Sequence, residues 1–275
     1  MKIGIIAGQG ALPELVAHKA AALGVEPVII ALKSLADGEF PERSATIFAI
    51  TQIESIIAHF KQHKVTQIIM VGKVHRSAIA AGPVDATSAV LLREVMSLGD
   101  DAALRAIVAV LIENGLQIIP ATKILKNHTL PEDFDGGARH DTGHDDSLAL
   151  AIELHQQLGS FDVGQAMIVQ GHQVIAIEAA EGTDAMIERA GQLMGDNAAC
   201  RLFLKATKSA QDKLLDPPVI GADTIMAAAQ AGITHMAIEA NHCLLAEPFE
   251  TISDICAKHN IYLCAITMPD ETMKG

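Results

Sequence analysis

Short, almost wholly apolar runs alternate along the chain with longer stretches in which apolar residues return every three or four positions. This is the pattern of strands buried on both faces and separated by amphipathic helices. Residues 2–7, 27–32 and 67–71 read as strands, with helices over 12–23 and 53–63 between them. Residues 102–114 form a further helix that stops at Gly115, and 118–120 a short strand. Beyond residue 147 the same grammar resumes. A helix over 148–158 is followed by strands over 166–170 and 173–179, joined at Gly171 and His172 as a tight hairpin. Then come a helix from near Thr183, a strand over 201–206, a helix over 224–230 stopped at Gly232, a strand over 235–239, and a last helix and strand ending at 261–267. The expected fold is α/β, with an N-terminal Rossmann-like domain of mostly parallel sheet and a C-terminal α/β domain.

The stretch P-E-D-F-D-G-G-A-R-H-D-T-G-H-D-D-S from Pro131 to Ser147 is polar and Gly-rich, and divides the pattern in two. It sets the expected organisation: a first domain over 1–132, a linker over 133–147 and a second domain over 148–275. His140, Asp141, His144, Asp145 and Asp146 in this stretch are metal-ligand types, but solvated linkers collect the same residues. No internal repeat stands out beyond A-I-E-A at Ala176 and Ala237.

Half of the 275 residues are hydrophobic and only 3% aromatic, so the core must be built from aliphatic side chains. The apolar runs fall far short of the roughly 20 residues that span a bilayer. The first residues lack the longer apolar region of a secretory signal, which leads to the expectation of a cytoplasmic protein. Cys200, Cys243, Cys256 and Cys264 are scattered without metal-ligand spacing and read as buried thiols rather than a zinc site. A net charge of −13 with no aromatic-interleaved basic patch argues against a nucleic-acid partner. An anionic substrate would require a local cationic site or a bound cation to offset that field.

The candidate chemistry lies where strands end. Gly8 and Gly10 break the first strand before a helix, but Pro13 stands where a dinucleotide fingerprint needs its third glycine, and the second strand ends in Leu32-Lys33-Ser34 with no acid for a ribose. This disfavours NAD and leaves a phosphate or sugar held by the backbone of 8–11. Lys73, His75 and Arg76 follow the next strand, either to neutralise a pyrophosphate or as a solvated basic loop. Asp101 heads the helix over 102–114, where capping alone would explain it. In Q-V-I-A-I-E-A-A-E-G-T-D-A-M, Glu178 and Glu181 close a strand, Gly182 breaks the chain, and Thr183 and Asp184 sit at the cap and first turn of a helix. Such a meeting point can hold a phosphate or a metal-bound phosphate, or it can be an acidic loop with a good N-cap. Asp223 and Thr224 repeat the arrangement, and Lys205 ends the strand between.

Six motifs in order resemble the LpxI family of UDP-2,3-diacylglucosamine pyrophosphatases: I-A-G-Q-G-A-L-P at Ile6, G-K-V-H-R at Gly72, G-D-D-A-A-L-R at Gly99, D-V-G-Q at Asp162, A-I-E-A-A-E-G-T-D-A-M at Ala176 and P-V-I-G-A-D-T-I at Pro218. The resemblance implies hydrolysis of the substrate's pyrophosphate to UMP and lipid X in lipid A biosynthesis, with a divalent cation, Mg2+ or Mn2+, and the lipid held between two domains. It implies that Asp223 is the essential aspartate. On this reading Asp223 holds the metal with Asp184 or Glu178 second, while Gly8, Gly10, Ala11, Arg76, Asp101, Thr183, Lys205 and Thr224 contact the substrate. A lipid-linked UDP-sugar partner further implies an apolar channel and transient contact with the cytoplasmic face of the inner membrane. A homodimer is left open. Lys73 departs from the family's small polar residue, and the linker matches poorly. The competing reading is a non-catalytic protein that senses a nucleotide sugar or lipid.

Overall fold

The isoleucines of K-I-G-I-I-A favour extended backbone, and β1 (Lys2–Ala7) is buried over all but its first residue. In the computed structural model of the chain the described residues are 2–33, 45–72, 74, 83–89, 100–136, 143–159, 161, 163–195, 199–208 and 217–269, without the side chains of 100–104. They form two compact units, the first reaching Leu125 and the second beginning at Lys126.

In the first unit, β1 pairs in parallel with β2 (Glu26–Leu32) and β4 (Gln67–Val71), and the order is β3-β2-β1-β4-β5, with β3 at Thr46–Phe48 and β5 at Gln117–Ile118. Helix α1 (Leu12–Ala22) packs on β1 and β2. Residues Ile6, Ile30 and Ile68 share a core with Ile53, Ile56 and Phe60 of α2 (Ile53–Gln62) and with Val108 and Leu111 of α3 (Asp100–Glu113). Strand β3 was not apparent in the sequence pattern. It is three residues long, at the sheet edge, and its Ile47 is exposed.

The second unit is built on a mixed sheet of order β6-β13-β11-β9-β7-β8. Its strands are β6 (Asp135–Gly136), β7 (Ala166–Gln170), β8 (Gln173–Ile177), β9 (Arg201–Lys205), β11 (His235–Glu239) and β13 (Tyr262–Ile266). Strands β9, β11 and β13 run parallel, and β7 is antiparallel to both neighbours. Alternation of side chains sends Ile168, Phe203, Met236 and Leu263 to one face, where they join buried residues of α5 (Thr183–Leu193), α6 (Ala222–Gln230) and α7 (Phe249–Lys258). Met167, Leu202, Leu204 and Ala237 face the other way, onto Ala151 of α4 (His144–Gly159). A separate pair, β10 (Val219–Ile220) and β12 (Leu244–Leu245), leads into α6.

The α/β expectation holds, with a parallel first sheet. At both ends of the stretch expected to be a linker, the described residues 133–136 and 143–147 carry structure. Its β6 pairs with β13, Phe134 packs edge-on against Phe249 with ring centroids 5.9 Å apart, and α4 starts at His144 rather than at 148. Backbone pairing to a distant strand, which composition does not reveal, organises Asp135 and Gly136. His140 and Asp141 lie outside the described residues. Among the described residues no helix is long and apolar enough to cross a membrane.

Candidate functional site

Strands β8, β9 and β11 point the same way, so Glu178, Lys205 and Glu239 all come to the C-terminal edge of the second sheet, where open α/β folds bind ligands. Lys205 is 3% exposed. Its Nζ donates to Thr183 Oγ1 at 2.6 Å, that hydroxyl donates to Glu178 Oε1 at 2.8 Å, and Glu178 Oε2 stands 3.9 Å from the ammonium. Glu178 Oε2 also accepts the Gln165 N–H at 3.1 Å. A buried cation is thus held by a carboxylate through a shared hydroxyl, an arrangement that satisfies a charge too costly to bury alone.

Next along the edge, Glu239 Oε2 accepts both the N–H and the hydroxyl of Thr207 at 2.6 Å. The Cys243 thiol beside it, pushed up to about 12 chiefly by burial, feels both Lys205 and Glu239. His155 donates Nε2–H to the Gln165 carbonyl at 3.2 Å. Burial holds its pKa below the ordinary histidine value against the opposing pull of that bond and of Glu239. Gly164 fixes where Glu178 stands. Its N–H donates to the Glu178 carbonyl at 2.9 Å, and a Cβ at position 164 would lie 2.3 Å from that same oxygen. Glu181, in the turn between β8 and α5, is engaged elsewhere, since Arg189 binds it at 2.6 Å and keeps its carboxyl below the usual range.

Asp223 lies exposed in the first turn of α6, and Thr224 is buried one residue on. The N-cap residue Gly221 has no side chain to offer, and Glu247 Oε2 accepts the Ala222 N–H at 3.1 Å in its stead. Two carboxylates therefore attend one helix N-terminus. Hard oxygen donors of this kind suit magnesium, which needs only one or two protein carboxylates. Asp184 is exposed in the first turn of α5, whose N-cap is Gly182 rather than Thr183, because the Thr183 hydroxyl is turned to Glu178. Among the described residues the one trio of histidine, cysteine or acidic side chains whose ligand atoms converge is His144, Cys200 and His235, so Asp223, Asp184 and Glu178 do not form such a group. Glu239, Glu247 and His155 did not emerge from the sequence. A carboxylate ending the strand H-M-A-I-E was the available sign for the first.

In the first unit the 8–11 turn follows β1 at the point where strand order reverses between β1 and β4. The Gly8 N–H donates to the Val71 carbonyl at 2.8 Å. Gly72 has φ +95°, and a Cβ there would come within 2.7 Å of the Gly8 carbonyl carbon, so the two loops meet only because it is glycine. Gly10 and Ala11 are exposed, and Ala11, the N-cap of α1, brings no side-chain cap. These backbone amides are the kind that receive an anion at a switch point. Asp101 lies in the first turn of α3, and Arg76 lies outside the described residues.

The sequence of the LpxI N-terminal domain matches residues 2–128, and that of the LpxI C-terminal domain matches 133–264. The chain belongs to the LpxI family. It is 30% identical over 254 residues to the UDP-2,3-diacylglucosamine pyrophosphatase LpxI of Caulobacter vibrioides, an alignment covering 90% of this chain and 91% of that one. Among solved structures, this LpxI family member resembles the UDP-glucose 4-epimerase of Thermotoga maritima at 17% identity and TM-score 0.27, over 42% of this chain and 35% of that one. It resembles glycinamide-RNase-transformylase T of Mycobacterium tuberculosis at 14% identity and TM-score 0.24, over 66% and 44%. Overlaps this small carry no weight for the LpxI chain's fold or chemistry.

Proposed function

We propose that this LpxI family member hydrolyses the pyrophosphate bond of UDP-2,3-diacylglucosamine to UMP and 2,3-diacylglucosamine 1-phosphate, lipid X, in lipid A biosynthesis. The observation that carries the reading is the 30% identity to the Caulobacter enzyme over nine-tenths of both chains. A pyrophosphate diester resists water mainly because its negative charge repels a nucleophile, so a catalyst must spread that charge and orient a water.

Asp223 is exposed at a helix head beside a second carboxylate, Glu247, and is the residue we assign to hold a divalent cation, with Asp184 or Glu178 as the second ligand. Magnesium or manganese, when bound, would supply the charge neutralisation that a chain of net charge −13 otherwise lacks. Lys205, tied to Thr183 and Glu178, would face a phosphate oxygen as a desolvated cation. Gly8, Gly10 and Ala11 would approach the nucleotide or sugar through backbone N–H groups, and Thr224, Asp101 and Arg76 complete the proposed contacts. A cytoplasmic protein touching the inner membrane transiently follows from two acyl chains on the substrate. With this acidic charge the contact would be apolar rather than electrostatic.

The test is UMP release by the purified full chain given UDP-2,3-diacylglucosamine and magnesium. Release that stops on chelation and in Asp223→Ala supports the reading. Tight substrate binding without UMP release would make the protein a sensor instead.

A further inference from the structure

At the opposite edge of the second sheet a different set of side chains converges. His144 opens α4, Cys200 immediately precedes β9 and His235 is the first residue of β11. All three are buried, at 6%, 3% and 1% exposure. One ligand atom from each lies within 4.8 Å of the others, and Cys200 Sγ stands 3.3 Å from His235 Nδ1. A nitrogen and a sulfur bound to one tetrahedral zinc, at bond lengths of about 2.1 and 2.3 Å, stand about 3.6 Å apart. The pair is therefore already close to coordination spacing.

The surroundings hold these atoms in position. The His144 and His235 rings stack with centroids 5.0 Å apart, and Tyr262 meets them edge-on at 5.2 and 5.6 Å. Ser147, one turn along α4, sets its hydroxyl by the Cys200 thiol and donates to the Gly171 carbonyl at 3.0 Å, whereas the Thr234 hydroxyl, 2.8 Å from the same His235 Nδ1, must yield that nitrogen to an ion. His128 and His155 each give a ring N–H to a backbone carbonyl, at 2.9 and 3.2 Å. His235 turns a ring nitrogen to a sulfur, with a second imidazole stacked beside it.

We propose that His144, Cys200 and His235 bind a zinc ion that pins the first turn of α4 to the start of β9 and β11. Two imidazoles and a thiolate suit zinc and exclude magnesium, which takes oxygen ligands. His235 and Glu239 lie at opposite ends of β11, about 13 Å apart at about 3.3 Å per residue, so this site is separate from the edge that carries Glu239.

The test uses the full chain expressed in zinc-supplemented medium and, separately, in cobalt(II) medium. The expected result is stoichiometric zinc by elemental analysis. In the cobalt protein it is a thiolate-to-cobalt charge-transfer band with the strong visible bands of a tetrahedral site. Cys200→Ser should lose the charge-transfer band, and His144→Ala should lose the thermal stabilisation that zinc gives the wild type. A folded wild-type chain that carries neither metal, or a charge-transfer band that persists in Cys200→Ser, overturns the proposal. The wild-type measurement decides even if the variants fail to fold, and neither arm depends on hydrolysis.

Discussion

Lys205 Nζ lies 2.6 Å from Thr183 Oγ1, joining the end of a central strand to the first residue of α5 across 22 positions of sequence. The hydroxyl serves two masters, since it accepts from the ammonium and donates to Glu178. Charge on Lys205 is thereby kept at the sheet edge with the Glu178 carboxylate 3.9 Å away. A buried cation so held is pre-oriented, and meeting an anionic ligand would cost it little reorganisation.

Lys205→Met follows as a direct test. The substitution keeps the apolar stem but strands Glu178 and Thr183 without their cationic partner, which should cost about 1–3 kcal/mol in urea unfolding. Magnesium-dependent UMP release should fall by about 10²–10³-fold if the ammonium meets the phosphates. Lys205→Arg should restore charge without restoring rate, because a planar guanidinium cannot occupy the place of a compact ammonium beside Thr183.

Gly164→Ala probes the backbone that seats Glu178. The added methyl would sit 2.3 Å from the Glu178 carbonyl oxygen and 2.5 Å from its Cβ, so the two segments must part. A loss of about 1–3 kcal/mol is expected in thermal or urea unfolding, as for other overpacked sites. Turnover should fall with it, because Thr183 and Lys205 depend on the same carboxylate.

Strands with dense β-branched runs were legible in the sequence to within a residue or two, because both their faces are buried and polar or glycine residues bound them. Thus β1, β4, β7 and β11 have the ends that their runs imply. What could not be read is whatever rests on distant pairing. Asp135 and Gly136 look like linker until β13 is beside them, and Thr183 looks like a helix cap until Glu178 and Lys205 arrive. The same holds for Cys200 and His235, 35 positions apart, which no local spacing rule connects. Glu247 caps α6 from 25 residues away, in the place that Gly221 leaves empty.

Asp223→Asn separates chemistry from folding. The side chain is exposed in the first turn of α6, where an acidic group gains only a few tenths of a kcal/mol from the helix dipole, so unfolding should shift by less than about 1 kcal/mol. UMP release should nevertheless be lost, since the neutral amide is a poor ligand for a hard cation. Unchanged release by a folded Asp223→Asn chain would remove this residue from the centre of the mechanism.

Stability should fall on mild acidification because of His155. Burial lowers its pKa in the folded chain, whereas the unfolded chain titrates near the ordinary value of about 6.5. Below that value the unfolded state binds more protons than the native one, so unfolding free energy drops as pH falls, by up to about 1.4 kcal/mol per pH unit for this group. Burial lowers the His59 pKa as well, which acts in the same direction. His155→Gln keeps an N–H donor for the Gln165 carbonyl but cannot protonate. Urea midpoints compared at about pH 7.5 and about pH 5.5, the side of the histidine range where the difference accrues, should therefore fall less in the variant than in the wild type. An equal fall in both would assign the acid sensitivity to other groups.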